Sequence, residues 1–273
     1  MNTALLHNLS VLVTRPAEKS ANMCALLAAN AAHPVAFPTI EISPITEQHP
    51  DFGPLKQTIM NLDLFDIIIC VSANAARLAG ELIDQYWPQL PINIQWFAIG
   101  EQTATALAQF DIQAQVATGC QDSESLLAAP ALQQIPASKV LILKGHAGRA
   151  LLGEALASRG AIVTEVPLYN RLIPVYTDQY VNSILYKSSL SAILITSGEA
   201  LQNLTAITRD SLNKFAQNSL FATDLIVPSA RVAEIAATQQ YQRITVAAAA
   251  DDQSMLAALL SVKGLEADNE KTK

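Results

Sequence analysis

The amino-acid sequence predicts an α/β protein of two similar parallel-sheet domains joined by a two-stranded hinge. Three observations carry that prediction. Short apolar runs alternate with alanine- and leucine-rich helical stretches along most of the chain. Residues 11–38 recur without a gap at 140–167, and three shorter segments from within 66–127 recur later in the chain. Two proline-bearing extended stretches, Phe37-Pro38-Thr39-Ile40-Glu41-Ile42 and Val166-Pro167-Leu168-Tyr169-Asn170-Arg171-Leu172, stand where the chain must cross between the repeats. At 273 residues the chain is long for one domain and comfortable for two.

Taken in order, residues 9–14 form a β-rich run that ends at Arg15-Pro16, and 17–30 carry a helical pattern. Residues 34–37 return to extended structure, so the chain opens strand, helix, strand. After the first crossing, 43–63 is proline-rich, with a helix near 54–61. Residues 65–71 are an apolar run of buried-strand type, closed by Ser72-Ala73-Asn74 and followed by a helix through Tyr86. A strand at 95–99 ends in Gly100 and opens a helix over 101–110. Residues 112–116 read as a short strand, and Asp122-Ser123-Glu124 starts another helix. A strand at 140–143 ends in Lys144-Gly145, and the helix over 149–158 is stopped by Arg159-Gly160, a C-terminal glycine signal. Residues 161–166 enter the second crossing, where the X-Pro step holds Val166 extended. Beyond it, 180–188 reads as helix. Residues 191–195 form a strand ending in Thr196-Ser197-Gly198, with a helix through Asn203 or beyond. A strand at 225–227 ends in Pro228-Ser229 before a helix over 230–238, and 244–246 is a strand. Asp252 opens the last helix.

The repeat sets the domains. Residues 11–38 match 140–167, 66–74 match 191–199, 97–100 match 225–228, and 122–127 match 252–257. The four pairs obey one circular order, in which the N-terminal unit completes a half whose other units come last. One domain is therefore expected from 1–37 plus 172–263 and another from about 40–167, with hinge strands at about 37–42 and 166–172. Continuous apolar strands between helices mean a parallel sheet covered on both faces, doubly wound and flavodoxin-like. A two-stranded antiparallel ladder would join the domains and floor a cleft between them.

Composition narrows the function. A net charge of −7 argues against a nucleic-acid binder, which needs a basic patch. It also removes long-range attraction for anions, so any anion site must be local, built from backbone N–H groups and a few cations. The three cysteines, Cys24, Cys70 and Cys120, are far apart, and no pair has metal-like spacing, which suits a reducing cytosol. His7, His33 and His49 are scattered, so a metal site is not expected. The opening MNTALLHNLSVLVTRP does not read as a signal peptide. No apolar run approaches the roughly 18 residues that span a bilayer. Residues 264–273 are a polar tail.

Ligands of open α/β sheets bind outside the carboxyl ends of the strands. The residues just past those ends are Arg15, Ser72, Gly100, Lys144, Ser197 and Ser229. Ser72, Ser197 and Ser229 serve equally well as N-caps, worth about 1 kcal/mol each. Asn74, Thr103, Gly145 and Arg171 lie close by in sequence. Arg77 and Arg231 suit a carboxylate-rich ligand or a solvated helix face, and His146 suits a ligand contact or an exposed loop. Glu124 and Asp252 read as first-turn helix carboxylates, as does Asp122. No G-x-G-x-x-G, G-x-x-x-x-G-K-[ST] or G-x-S-x-G occurs. Tyr169, mid-hinge, is either a buried packing residue or a phenol that faces a ligand as hydrogen-bond donor or general acid.

In order along the chain, Val13-Thr14-Arg15-Pro16, Pro38 with Ile40 and Ile42, Val71-Ser72-Ala73-Asn74, and Ala98-Ile99-Gly100-Glu101-Gln102-Thr103-Ala104 are motifs of one family. So are Lys144-Gly145-His146-Ala147-Gly148-Arg149, Gly160-Ala161, Tyr169-Asn170-Arg171 and Ile195-Thr196-Ser197. The chain resembles the uroporphyrinogen-III synthase family over nearly its whole length. Lys144 departs from the arginine of many members, and Pro228-Ser229-Ala230 replaces a glycine-containing turn. The resemblance implies two α/β domains and a cofactor-free, water-eliminating lyase of tetrapyrrole (heme, siroheme) biosynthesis. Its substrate would be hydroxymethylbilane, a linear tetrapyrrole with eight carboxylates, cyclised to uroporphyrinogen III with inversion of ring D. The family's hinge tyrosine falls on Tyr169 and its helix-start threonine on Thr103, with Arg15, Ser72, Asn74, Gly100, Lys144, Gly145, Arg171, Ser197 and Ser229 as substrate-binding candidates. A cytoplasmic monomer is expected, with no nucleic-acid or membrane partner and a transient contact with hydroxymethylbilane synthase. The alternatives are a non-catalytic sensor of a tetrapyrrole or polyanion on the same architecture, and a periplasmic-type solute binder, which the opening sequence disfavours.

Overall fold

Runs such as Ile67-Ile68-Ile69-Cys70 are buried at every position, which requires cover on both faces of a sheet and so a parallel arrangement. The computed structural model describes residues 6–116, 123–146, 151–187, 189–211 and 214–264. In chain order the elements are β1 (Ser10–Val13), α1 (Ala17–Ala29), β2 (His33–Ala36), β3 (Glu41–Pro44), α2 (Phe52–Met60), β4 (Ile67–Cys70), α3 (Ala73–Tyr86), β5 (Gln95–Ala98), α4 (Glu101–Ala108) and α5 (Ser123–Leu127). Then follow β6 (Lys139–Gly145), α6 (Leu151–Ser158), β7 (Ile162–Leu172), α7 (Asp178–Asn182), β8 (Ala192–Leu194), α8 (Gly198–Ser211), α9 (Lys214–Phe221), β9 (Asp224–Val227), α10 (Ala230–Thr238), β10 (Arg243–Val246) and α11 (Asp252–Val262).

The chain divides into two compact units. The described residues of Met1–Glu41 and Leu172–Lys273 form unit 1, and those of Ile42–Arg171 form unit 2. The sheet of unit 1 runs β10-β9-β8-β1-β2, with parallel pairing throughout. Counted along the chain, its strands take the flavodoxin-like order 2-1-3-4-5. The second sheet runs β3-β7-β6-β4-β5. Here β7, β6, β4 and β5 repeat the places of β2, β1, β8 and β9, and a parallel bridge from Phe97 to Gln115 stands where β10 would be.

Side-chain alternation divides each sheet between two cores. In unit 2, Ile68, Cys70, Leu141 and Leu143 pack with α2, α3 and α4. Ile67, Ile69, Val140 and Ile142 pack with Leu126, Leu152 and Leu156 of α5 and α6. In unit 1, Val11, Val13, Leu194 and Ile226 meet Met23 and Leu27 of α1 and Met255, Leu256 and Leu259 of α11. Full burial of each such aliphatic contributes about 1.5–3 kcal/mol.

Several details differ from the sequence pattern. Phe37-Pro38-Thr39-Ile40 lies outside any strand, and the extended segment begins at Glu41. The two crossing segments are neighbours, but β3 and β7 form the edge of the second sheet rather than a ladder standing apart from it, and β7 runs unbroken from Ile162 to Leu172. Thr39 bonds back to Thr14, its N–H and hydroxyl both donating to the Thr14 carbonyl at 3.1 and 3.2 Å. Residues 112–116 supply only the bridge at Gln115. The helix expected at 180–188 is α7 followed by a π turn at Ser183–Lys187. Helix α9 adds an element that the pattern does not signal. One repeat match also slips by one residue. The cap of α4 is Gly100 and that of α10 is Ser229, so Gly100 corresponds to Ser229 rather than Pro228. Short apolar runs tolerate such slips, whereas helix caps do not. Cys120, Asp122, Gly148, Arg149 and the tail from 265 lie outside the described residues.

Aromatic packing closes one part of unit 1. Phe37 stacks on Tyr176 at 4.6 Å between centroids, Tyr180 lies 5.3 Å from Tyr176, and Tyr176 donates to the Pro38 carbonyl at 2.8 Å. Burial, with Tyr180 and Glu41 nearby, pushes the Tyr176 phenol up to about 12. Tyr241 is buried against Phe221, and burial pushes it too up to about 12. Among the described residues its hydroxyl has no hydrogen-bond partner of normal geometry; the Thr205 hydroxyl, which donates to Gln239 Oε1 at 2.7 Å, lies close enough only to offset part of the rise. An unsatisfied buried hydroxyl costs about 1–3 kcal/mol. Tyr241→Phe is therefore expected to hold or raise stability in urea titrations at pH 7. Both phenols ionise at higher pH in the folded chain than in the unfolded one, so stability is lost as pH rises from about 10 to about 12. The variant should flatten that loss. A drop of more than about 1 kcal/mol at pH 7 would mean that the hydroxyl is satisfied.

Candidate active site at the strand ends

The site begins with an irregularity in the second sheet. Strands β6 and β7 pair in regular register from Lys139 with Ile162 to Lys144 with Pro167, then shift so that Gly145 pairs with Tyr169. Leu168 is the extra residue of a β-bulge, a feature that re-aims side chains. Its carbonyl accepts from Ile45 N–H at 2.9 Å, while the Tyr169 carbonyl accepts from His146 N–H at 2.8 Å. The bulge lays the Tyr169 ring across Gly145. A Cβ there would stand 2.7 Å from Tyr169 Cζ and 3.0 Å from its hydroxyl, so only glycine leaves room for the phenol.

The phenol oxygen lies 3.1 Å from Ser72 Oγ. Ser72 is the N-cap of α3, with extended backbone, and its Oγ accepts the Ala75 N–H at 3.1 Å. Ser72 follows β4 and Gly145 ends β6. Those neighbouring strands continue to opposite sides of the sheet, which makes their junction the topological switch point, the crevice where doubly wound sheets bind ligands. Tyr169 is only 5% exposed, and its ring belongs to the core that also holds Leu143 and Val166. The ring thus packs in the core, while the phenol oxygen makes its contact with Ser72 at the strand ends.

The other candidates of unit 2 separate in role. Asn74 is half-buried in the first turn of α3. Gly100 caps α4 at φ 80° and ψ 155°, a region essentially restricted to glycine. Thr103 is buried, and its hydroxyl donates to the Ile99 carbonyl at 2.7 Å, which ties the first turn of α4 to the end of β5. Lys144 turns to the α6 side and pairs with Glu165 Oε2 at 2.7 Å, so its ammonium is committed inside the unit. Glu165 carries no signal of its own in the sequence; the gapless register of β6 against β7 places it diagonally from Lys144. Arg171 is exposed near the end of β7, as is His146 past β6. Arg77 holds Glu81 one turn on, at 2.6 Å.

In unit 1, Arg15 pairs with Asp252, the first residue of α11, and donates to the Ala250 carbonyl. The expected cation after β1 therefore has an internal partner. Ser197 caps α8 by accepting the Ala200 N–H at 3.1 Å. Ser229 caps α10 by backbone position alone, without a side-chain hydrogen bond. Arg231 is exposed on α10.

The helix starts differ in charge. Helices α1, α4, α6 and α8 carry Glu18, Glu101, Glu154 and Glu199 in their first turns. Helices α3 and α10 carry no carboxylate there. A first-turn carboxylate competes with a ligand anion for the same N–H groups and dipole. Burial pushes the Cys70 thiol up to about 12 and raises Cys24, so neither is a ready thiolate. Among the described residues no group of three or more His, Cys, Asp or Glu side chains converges, and no helix is long and apolar enough to cross a membrane.

The chain is similar to known proteins in sequence and in fold. Residues 21–257 match a family model described as uroporphyrinogen-III synthase HemD. The uroporphyrinogen-III synthase of Escherichia coli (strain K12) is 33% identical over 258 residues, covering 92% of this chain and 100% of the relative. That of Salmonella typhimurium is 32% identical over 254 residues, with the same coverage. A mutant uroporphyrinogen III synthase of Thermus thermophilus superposes with a TM-score of 0.59 at 15% identity, covering 94% of this chain and 100% of its own. At such identity the likeness is one of fold.

One consequence for the site concerns Gly100. Gly100→Ala forces an alanine into a conformation reserved for glycine and should cost about 1–3 kcal/mol in urea unfolding. Gln102→Ala, on the exposed side of the same turn, should stay within about 0.5 kcal/mol. Equal stabilities would show that α4 starts differently.

Proposed function

The chain belongs to the uroporphyrinogen-III synthase family, and we propose that it cyclises hydroxymethylbilane to uroporphyrinogen III with Tyr169 as the proton donor to the departing hydroxyl. The observation that carries this reading is the phenol held 3.1 Å from Ser72 Oγ, across Gly145, at the switch point of the second sheet.

The chemistry requires little more. The hydroxyl of the hydroxymethyl group leaves as water once its oxygen receives a proton, while the pyrrole nitrogen supplies the electron pair that expels it and the methylene carbon stays on the ring. The product of that step is an electrophilic azafulvene. Attack on it by the substituted carbon of ring D gives a spiro intermediate, and its reopening and reclosure invert ring D. The phenolate left on Tyr169 recovers a proton when the last ring regains aromaticity, so the cycle balances without an external reagent. Folding one substrate back on itself is a positioning problem, and well-aligned intramolecular reactions gain about 7–11 kcal/mol from alignment alone.

Binding follows from the helix starts. The substrate carboxylates suit the N-termini of α3 and α10, which lack carboxylates of their own. Ser72, Asn74 and Ser229 belong to those starts, and Gly100, Thr103, Gly145, Arg171 and Ser197 complete the proposed binding set. Arg15 and Lys144 act at one remove, as internally paired cations, unless substrate exchanges for Asp252 or Glu165. A cytoplasmic location and a brief contact with hydroxymethylbilane synthase complete the proposal. Direct handover of the substrate would limit its uncatalysed closure to the type I isomer.

Tyr169→Phe removes the hydroxyl and keeps the ring that fills the core. We expect turnover to fall at least several-fold, with the unfolding free energy within about 1 kcal/mol of wild type, since a single hydrogen bond is lost. Full turnover in the phenylalanine variant would remove Tyr169 as the donor.

A further inference from the structure

Resting on the reading above, we infer that Ser72 is a positioning residue that turns the Tyr169 hydroxyl proton outward. A serine hydroxyl has one proton and two lone pairs. One lone pair of Ser72 Oγ takes the Ala75 N–H at 3.1 Å. The contact with Tyr169 at 3.1 Å allows either oxygen to donate. If the phenol donated to Ser72, its proton would point at the helix cap and be withheld from a ligand. If Ser72 donates, the chain runs from Ala75 N–H through Ser72 O–H to the phenol, whose proton is then directed away from the cap.

The second arrangement is the favoured one. A hydroxyl that already accepts a hydrogen bond becomes a stronger donor, because successive bonds polarise one another. The positive end of the α3 dipole lies on the same side and favours negative charge developing on the phenol oxygen. Among the described residues Ser72 Oγ is the hydrogen-bond partner of that oxygen. Gly145 closes the arrangement from below, since any side chain there would displace the ring. Ser72 thus sets the proton's direction, the bulge at Leu168 sets the ring's height, and neither needs to touch the reacting carbon.

A substitution series at Ser72 separates this role from simple capping. Glycine is nearly as good an N-cap as serine but has no hydroxyl, alanine is a poor cap, and threonine keeps both functions. Ser72→Gly should lower kcat about tenfold with KM within about twofold, the effect of one lost hydrogen bond felt in the transition state. Ser72→Thr should recover kcat to within about threefold. In protein labelled with tyrosine carrying carbon-13 at Cζ, the resonance assigned to Tyr169 through Tyr169→Phe should shift in Ser72→Gly and return in Ser72→Thr. On the Tyr169→Phe background, Ser72→Gly should cause no further loss. An unmoved Tyr169 resonance in Ser72→Gly would overturn the inference whatever the turnover shows. So would wild-type kcat in Ser72→Gly alongside an impaired Tyr169→Phe. Wild-type turnover in Tyr169→Phe with a shifted resonance would sink the donor role alone and uphold the hydrogen bond.

Discussion

A parallel sheet buried on both faces leaves chemistry one place to go, the carboxyl ends of its strands, and this constraint organises the whole chain. Strands such as Ile67–Cys70 have no exposed residue to offer, so the functional candidates gather at the strand ends and the first turns of the helices that follow. The switch point is the one position in such a sheet where the chain leaves two neighbouring strands in opposite directions. In the second sheet it is occupied. A single extra residue, Leu168, shifts β7 against β6, a glycine leaves the space, and a phenol fills it with its hydroxyl on the cap of α3.

An acidic chain that handles a polyanion must do so locally. The obvious cations after the strand ends already have internal partners, since Arg15 is held by Asp252 and Lys144 by Glu165. Partly buried pairs of this kind resist exchange, because removing one partner strands the other charge. The first turns of α3 and α10 carry no carboxylate, and the Ser229 hydroxyl makes no capping bond, which is why the proposed anion contacts fall there. Recognition by backbone dipoles also demands less of the overall charge, which remains −7.

Much of this is legible in the sequence. Periodicity and the gapless match of 11–38 with 140–167 place β1, α1, β2, β6, α6 and β7 to within a few residues, since burial writes itself into long apolar runs. The short match of 97–100 slips by one residue, because Phe97-Ala98 and Leu225-Ile226 look alike at either offset while the caps Gly100 and Ser229 do not. Proline ordinarily signals the end of a strand, which makes the hinge look separate from the sheet. Pro167 instead sits inside β7, immediately before the bulge. Tyr169 stands out from its place in the chain alone. Its partnership with Ser72 is out of reach, because two residues so far apart in sequence meet only through the order of β4, β6 and β7. The ion pairs of Arg15 and Lys144 are likewise invisible, being set by tertiary packing of α11 and by strand register.

The account turns on the claim that this fold directs ring closure rather than merely holding a tetrapyrrole. Freshly prepared hydroxymethylbilane, incubated with the protein and oxidised before the porphyrin isomers are separated, reports on that claim directly. A product dominated by the type III isomer is the predicted result. Type I isomer alone, formed at the rate seen without protein, would contradict it.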